Sequence, residues 1–139
     1  MNRIIKFRVW DNLTKQMLFE DFHLLGEVMS FSLIDQWIRE HKEGKGLLER
    51  YNDMVFQQYT GIQDSKGVKV YDGDILREKM TEEMAANGGG ASLDVVRFSG
   101  GAFLIDCNPI WDYLSSNNPD VLEDFEVIGN LYENPELLK

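Results

Sequence analysis

Residues able to do chemistry are present in this chain, but few stand at the spacings that a reaction or a bound ion requires. Asp72-Gly73-Asp74 sets two carboxylates almost side by side, the oxygen donors that a hard cation such as calcium prefers. An EF-hand loop counted from Asp72 needs glycine at position six, where this chain has Arg77, with Leu76 at position five and Glu83 at position twelve. A guanidinium there opposes a cation. The tripeptide therefore reads as a tight turn, in which Gly73 takes a positive φ and Asp74 bonds the nearby backbone. His23, His41 and Cys107 supply the imidazoles and the thiol. Structural zinc takes four ligands, often in short paired spacings, and these three stand far apart. A Cys–His nucleophilic pair would need the fold to gather them. Cys107 follows an apolar run and reads as a small buried residue. Gly88-Gly89-Gly90 lacks the Lys-Ser/Thr of a phosphate-binding loop and reads as a loop tip. Asp72, Asp74, Asp94 and Asp106 would make an acid–base pair only if two of them converged in a cleft. Nothing in the spacing selects two. The expectation is no metal, no cofactor and no catalytic residue.

Two other stretches carry the chemistry of binding. Lys6, Arg8 and Trp10 fall on one face of an alternating segment, a basic–aromatic set that would stack a base and touch phosphate. That candidate contact face gives the alternative reading, a nucleic-acid-binding module. Gln58 beside Tyr59 and Thr60 would line a protein-binding groove; the plainer account has Tyr59 completing a core while the glutamines face solvent.

Charge weighs against nucleic acid. The 139 residues carry a net charge of −10. From residue 81 onward only Arg97 and Lys139 oppose eleven acidic residues, which repels a phosphate backbone. An apolar fraction of 43%, with 12% aromatic, supports a real core and argues against disorder. The single cysteine forms no internal disulfide, which fits a reducing compartment. Met1-Asn2-Arg3-Ile4-Ile5-Lys6 interrupts any apolar run with charge, and no stretch approaches the roughly 20 apolar residues of a membrane helix. These features predict a cytoplasmic protein with no membrane partner.

The elements that must position these residues are mostly strands. Ile5, Phe7 and Val9 alternate with Lys6, Arg8 and Trp10, and with Asp11-Asn12 as turn and Met17, Leu18 and Phe19 beyond it, residues 4–24 read as a hairpin. Ser32 is a candidate cap for a helix with Leu33, Ile34, Trp37, Ile38 and His41 at helical spacing, stopped by Gly44 and Gly46. Strands are expected over Val55–Ile62, Val68–Tyr71, Ile75–Arg77, Leu93–Phe98, Ala102–Asp106 and Phe125–Tyr132, the fourth and fifth joined by Ser99-Gly100-Gly101. Asn108-Pro109 and Asn118-Pro119 each read as a cap followed by proline, opening a short helical turn. Part of the segment between Met80 and Ser92 is compatible with a helix. Short strands with glycine-bearing turns suggest a small barrel or rolled sheet.

Three motif blocks then stand out. They are Phe7-Arg8-Val9-Trp10-Asp11 with Lys15 and Met17; Gln58-Tyr59-Thr60-Gly61 with Asp64, Gly67, Tyr71 and Gly73-Asp74-Ile75; and Val127-Ile128-Gly129-Asn130-Leu131-Tyr132-Glu133-Asn134-Pro135-Glu136-Leu137-Leu138. In this order they resemble the YopX family of phage and prophage proteins. The elements read above make a mostly β (α+β) fold with an N-terminal hairpin and one helix (residues 1–50), and the resemblance implies that they pack with a C-terminal region (residues 51–139) similar to a small SH3-like barrel. It brings no catalytic residue, and Trp10, Gln58, Tyr59, Thr60, Gly61, Asp64, Gly67, Tyr71, Gly73, Asp74, Gly129, Asn130, Tyr132, Glu133 and Asn134 read as structural. Ile62-Gln63 and the long glycine-bearing 81–92 segment depart from the family pattern, which leaves partner choice open. The resemblance itself implies no biochemical activity. Together with the acidic charge and the lack of a catalytic constellation, it leads to the expectation of an accessory protein binding a host or phage protein, with self-association into a homo-oligomer.

Overall fold

The alternating stretch near the start forms β1 (Lys6–Asp11), paired antiparallel with β2 (Gln16–His23) as the hairpin pattern predicts. The computed structural model of the chain describes residues 6–23, 28–88, 90 and 92–138, with side chains over 6–18 and from 34 onward. The chain divides into two compact units, residues 1–59 and 60–139.

In the first unit the hairpin is followed by α1 (Val28–Glu40) and α2 (Leu47–Asn52). Ser32 is not the cap of α1, which starts at Val28 and so places Ser32 inside the helix. The reason is visible in the spacing: Val28 and Phe31 carry the apolar period of Ile34 and Ile38 back by two more steps. Past α1 the ring of His41 stacks on Trp37, with centroids 3.7 Å apart. The second helix, α2, is absent from the sequence reading; its six residues are too few to show a period. After it, β3 (Met54–Asp64) begins, and its first residues pair antiparallel with β1, Val9 opposite Phe56 and Asp11 opposite Met54. That pairing is why the first unit extends past residue 50. Val9, Ile34, Ile38 and Met54 form its core, flanked by Phe7, Leu18, Trp37 and Leu47. Each large aliphatic side chain buried this way contributes about 1.5–3 kcal/mol.

The second unit holds residues 60–64 of β3, then β4 (Lys69–Tyr71), β5 (Asp74–Glu78), α3 (Glu82–Ala86), β6 (Leu93–Ser99), β7 (Ala102–Ile105), β8 (Asn108–Pro109), β9 (Val121–Leu122) and β10 (Phe125–Asn130). β9 runs parallel to β3, while a second sheet has the order β10-β5-β6-β7-β8. One apolar cluster takes Ile62, Val70, Leu76, Val96, Phe103, Ile105, Leu122 and Phe125 from seven of these strands, together with Ile110. Barrel closure is not found: among the described residues this second sheet ends on β10 and β8, which do not pair with each other.

Both Asn-Pro expectations need correction. Asn108 pairs with Ile105 as a strand residue, and a 3-10 turn begins only at Ile110. Asn118 bridges back to Ser115, and no helix follows Pro119. Asn-Pro favours turn initiation as readily as helix capping, so local sequence does not separate the two. Thr81, in contrast, does cap α3, its hydroxyl accepting from the Met84 N–H at 3.1 Å.

Candidate functional site

Polar residues inside a protein must find partners, and those of the motif blocks show where this chain spends its polar chemistry. In the first unit the end of β1, the following turn, α1 and α2 converge on Asp11. Arg50, fully buried on α2, donates to both oxygens of the Asp11 carboxylate, at 3.0 Å and 2.6 Å. The same guanidinium donates to the His41 carbonyl at 2.6 Å and to Asp53 at 3.0 Å. Asp11 also accepts from the Trp37 indole N–H at 2.9 Å, the Thr14 hydroxyl at 2.8 Å and the Leu13 N–H at 3.0 Å. Burial alone would push this carboxyl upward; the bonds from Arg50, Trp37, Thr14 and Leu13 outweigh it and hold the group well below the ordinary carboxylate range. Removing one member of such a pair typically costs about 3–5 kcal/mol, because a buried charge is left behind.

The second unit solves the same problem with backbone. Buried Asp64 accepts from the N–H groups of Lys66 and Val68, both at 2.8 Å, and from that of Val127 at 2.9 Å. Asp74 accepts from the Tyr71 N–H at 2.8 Å, closing the turn in which Gly73 has φ 90°. Only glycine enters that region without strain. Asn130 accepts from the N–H groups of Tyr132 and Glu133 at 3.0 Å and 2.8 Å, while its own N–H donates to the Asn134 side chain at 3.2 Å. Asn134 also explains Gly129: a Cβ there would lie 2.6 Å from the Asn134 amide oxygen. Thr60 donates to the Val70 carbonyl at 2.8 Å and accepts from the Ile62 N–H at 3.2 Å. Gly61, with φ 87°, lies within β3 between Thr60 and Ile62, and Gly67, with φ 83°, lies in the turn that Asp64 caps.

The remaining sequence candidates disperse. Arg8 and Trp10 do not present a contact face; they are 9% and 2% exposed, and Arg8 donates to Gln57 at 2.7 Å. Lys6 is half-buried beside them in β1. Gln57 likewise does not face solvent, because its cross-strand position opposite Arg8 makes it the acceptor for a buried guanidinium. Gln58 is half-buried, and Tyr59 and Tyr71 are buried. Cys107 is exposed and not buried; with Asp106, whose φ is 58°, it forms the two-residue turn between β7 and β8. His41 Nδ1 sits 2.9 Å from the Trp37 carbonyl oxygen; the His23 side chain and Gly89 lie outside the described residues. Of the four aspartates weighed as acid or base, Asp94 and Asp106 come into electrostatic reach. Burial, then Asp106 and Glu78, raise the Asp94 carboxyl. Asp74 is committed to its turn. Among the described residues no group of three or more His, Cys, Asp or Glu is placed to hold a metal ion, and no helix is long and apolar enough to cross a membrane. Sequence reasoning missed Arg50; its single trace is a charged residue at the position where the inward stripe of a short helix starting at Leu47 would continue.

Fold and site together define a class: a small, mostly β protein of two units whose motif residues hold backbone and buried charge in place. The chain belongs to the YopX family, whose model, described as YopX protein, matches residues 6–139. Among solved structures it is similar to protein EF1440 from Enterococcus faecalis, with 24% identity and a TM-score of 0.60 over 99% of this chain and 100% of that one. It is also similar to protein yopX from Bacillus subtilis, with 18% identity and a TM-score of 0.48 over 100% of both chains. The first of these likenesses bears on fold alone. Comparison with curated proteins found no match.

Proposed function

We propose that the chain is a phage- or prophage-encoded accessory protein of the bacterial cytoplasm that acts by binding another protein and by self-association, and that it catalyses no reaction. The observation that carries this reading is the commitment of the motif carboxylates and amides to backbone. Asp64, Asp74 and Asn130 have their oxygens directed at N–H groups of their own turns, which leaves them unsuited to proton transfer or ligand exchange. Two sheets sharing one apolar core support reading the second unit as an opened relative of the small SH3-like barrel. That unit, residues 60–139, carries six Lys and Arg against fifteen Asp and Glu, a balance that favours protein over nucleic acid as partner. Trp111, 58% exposed on its 3-10 turn, is the kind of aromatic that anchors a protein interface.

The test is affinity capture by the tagged full chain from lysate of phage-infected bacteria, with wild type and Trp111→Ala compared side by side. A protein retained in fixed ratio by wild type and depleted with Trp111→Ala is the expected outcome. Retention of no macromolecule, combined with turnover of a small molecule by the purified chain, would overturn the reading.

A further inference from the structure

The two faces of α2 are of opposite character. Arg50 is its buried residue, and Leu47 packs partly against the apolar cluster. Leu48 is 82% exposed and Tyr51 is 41% exposed. Residues three apart are neighbours on a helix surface, so these two side chains form one outward apolar ridge.

The ridge is held rigidly from beneath and from the side. Arg50 fixes the helix through Asp11, Asp53 and the His41 carbonyl. The Tyr51 hydroxyl donates to Asp35 at 2.9 Å, and Asp35 is itself paired with Arg39 at 2.7 Å. A six-residue helix would not persist alone in water, so the buried ion pair keeps in place an element whose outer face is apolar. Such a surface binds without a further ordering cost. Its neighbouring charges select no ionic partner: Asp35 and Arg39 neutralise each other, and Glu49 lies in the first turn, where the helix dipole favours it.

Charge distribution identifies the occupant. Residues 1–59 carry eight Lys and Arg against nine Asp and Glu, whereas residues 60–139 carry six against fifteen. Two copies meeting through the second unit would bring like charge together; two meeting through the first would not. We propose that the Leu48–Tyr51 ridge of α2 is the apolar centre of the surface through which a second copy of this chain docks. A two-fold contact is self-complementary, so the ridge would face its own counterpart across the axis. This inference rests on the self-association half of the proposed function.

Sedimentation equilibrium of the full chain over a wide concentration range, at moderate and high salt, tests it. The expected result is a monomer–dimer equilibrium little affected by salt. Leu48→Glu is expected to raise the dissociation constant roughly tenfold or more while leaving circular dichroism as in wild type, and the denaturation midpoint as in wild type at concentrations low enough for both to be monomeric. Tyr51→Ser weakens the dimer in the same direction, and Trp111→Ala leaves it intact. A monomer at every concentration, or a dimer indifferent to Leu48→Glu, overturns the inference. A dimer indifferent to Leu48→Glu refutes this ridge alone. A monomeric wild type that still captures its partner protein refutes self-association together with the ridge and leaves partner binding standing; an intact dimer that captures nothing refutes the partner-binding reading alone.

Discussion

The two units satisfy buried polar groups in different ways. In the first, charge meets charge: Asp11 and Arg50 are both fully buried and bonded to each other. In the second, side-chain oxygens meet backbone: Asp64, Asp74 and Asn130 each accept from N–H groups of the turns around them. A carboxylate that caps its own turn loses one backbone arrangement if removed. A buried ion pair loses its balance entirely, because the surviving partner keeps a charge that water no longer reaches. The first unit is therefore the more brittle of the two toward single substitutions at its polar centre.

That difference can be broken most forcefully at Arg50. Arg50→Met is expected to destabilise the first unit by about 3–5 kcal/mol. Asp11→Asn combined with Arg50→Met should recover part of the loss, since neither charge then remains and the amide oxygen can still accept from the Trp37, Thr14 and Leu13 donors. Urea denaturation of the two single variants and the double variant measures the coupling. Strictly additive losses would show that the two side chains act independently.

A smaller effect separates the units by pH. The Asp11 carboxyl is depressed, so its contribution is complete above about pH 4, where the unfolded carboxyl has lost its proton, and it fades as pH falls from there. Asp94 in the second unit has the opposite sign. Its carboxyl is raised by burial and by Asp106 and Glu78, so its charge costs stability at neutral pH, and the cost is relieved as pH falls through the raised value. Asp94→Asn should stabilise the fold slightly at neutral pH, by less than about 1 kcal/mol, read as a small rise in the denaturation midpoint, and have no effect in acid. A lower midpoint at neutral pH would mean that this carboxylate supports the fold.

The same contrast explains how much was legible in the sequence. Asp64 and Asp74 stand within four residues of turn N–H groups they bond, beside Gly67 and Gly73, so their turns could be read directly. The strands flanking Gly100-Gly101 were equally readable, because alternation and turn residues agree there. Arg50 reaches Asp11 across 39 positions, and no period or local motif announces such a pair. The bond from the Val127 N–H to Asp64 spans 63 positions and was hidden for the same reason. Alternation places Trp10 and Arg8 on one face of a strand but does not say that both faces are covered. Strand, turn and helix cap share the Asn-Pro signal, so local sequence does not place Asn108 or Asn118.

The central claim is that motif carboxylates hold backbone in place, and Asp64 tests it most directly. Asp64→Ala removes the acceptor of three N–H groups, and urea denaturation should show a loss of about 3 kcal/mol. An unchanged midpoint together with abolished partner capture would contradict the account, because Asp64 would then be acting at a contact and not within the fold.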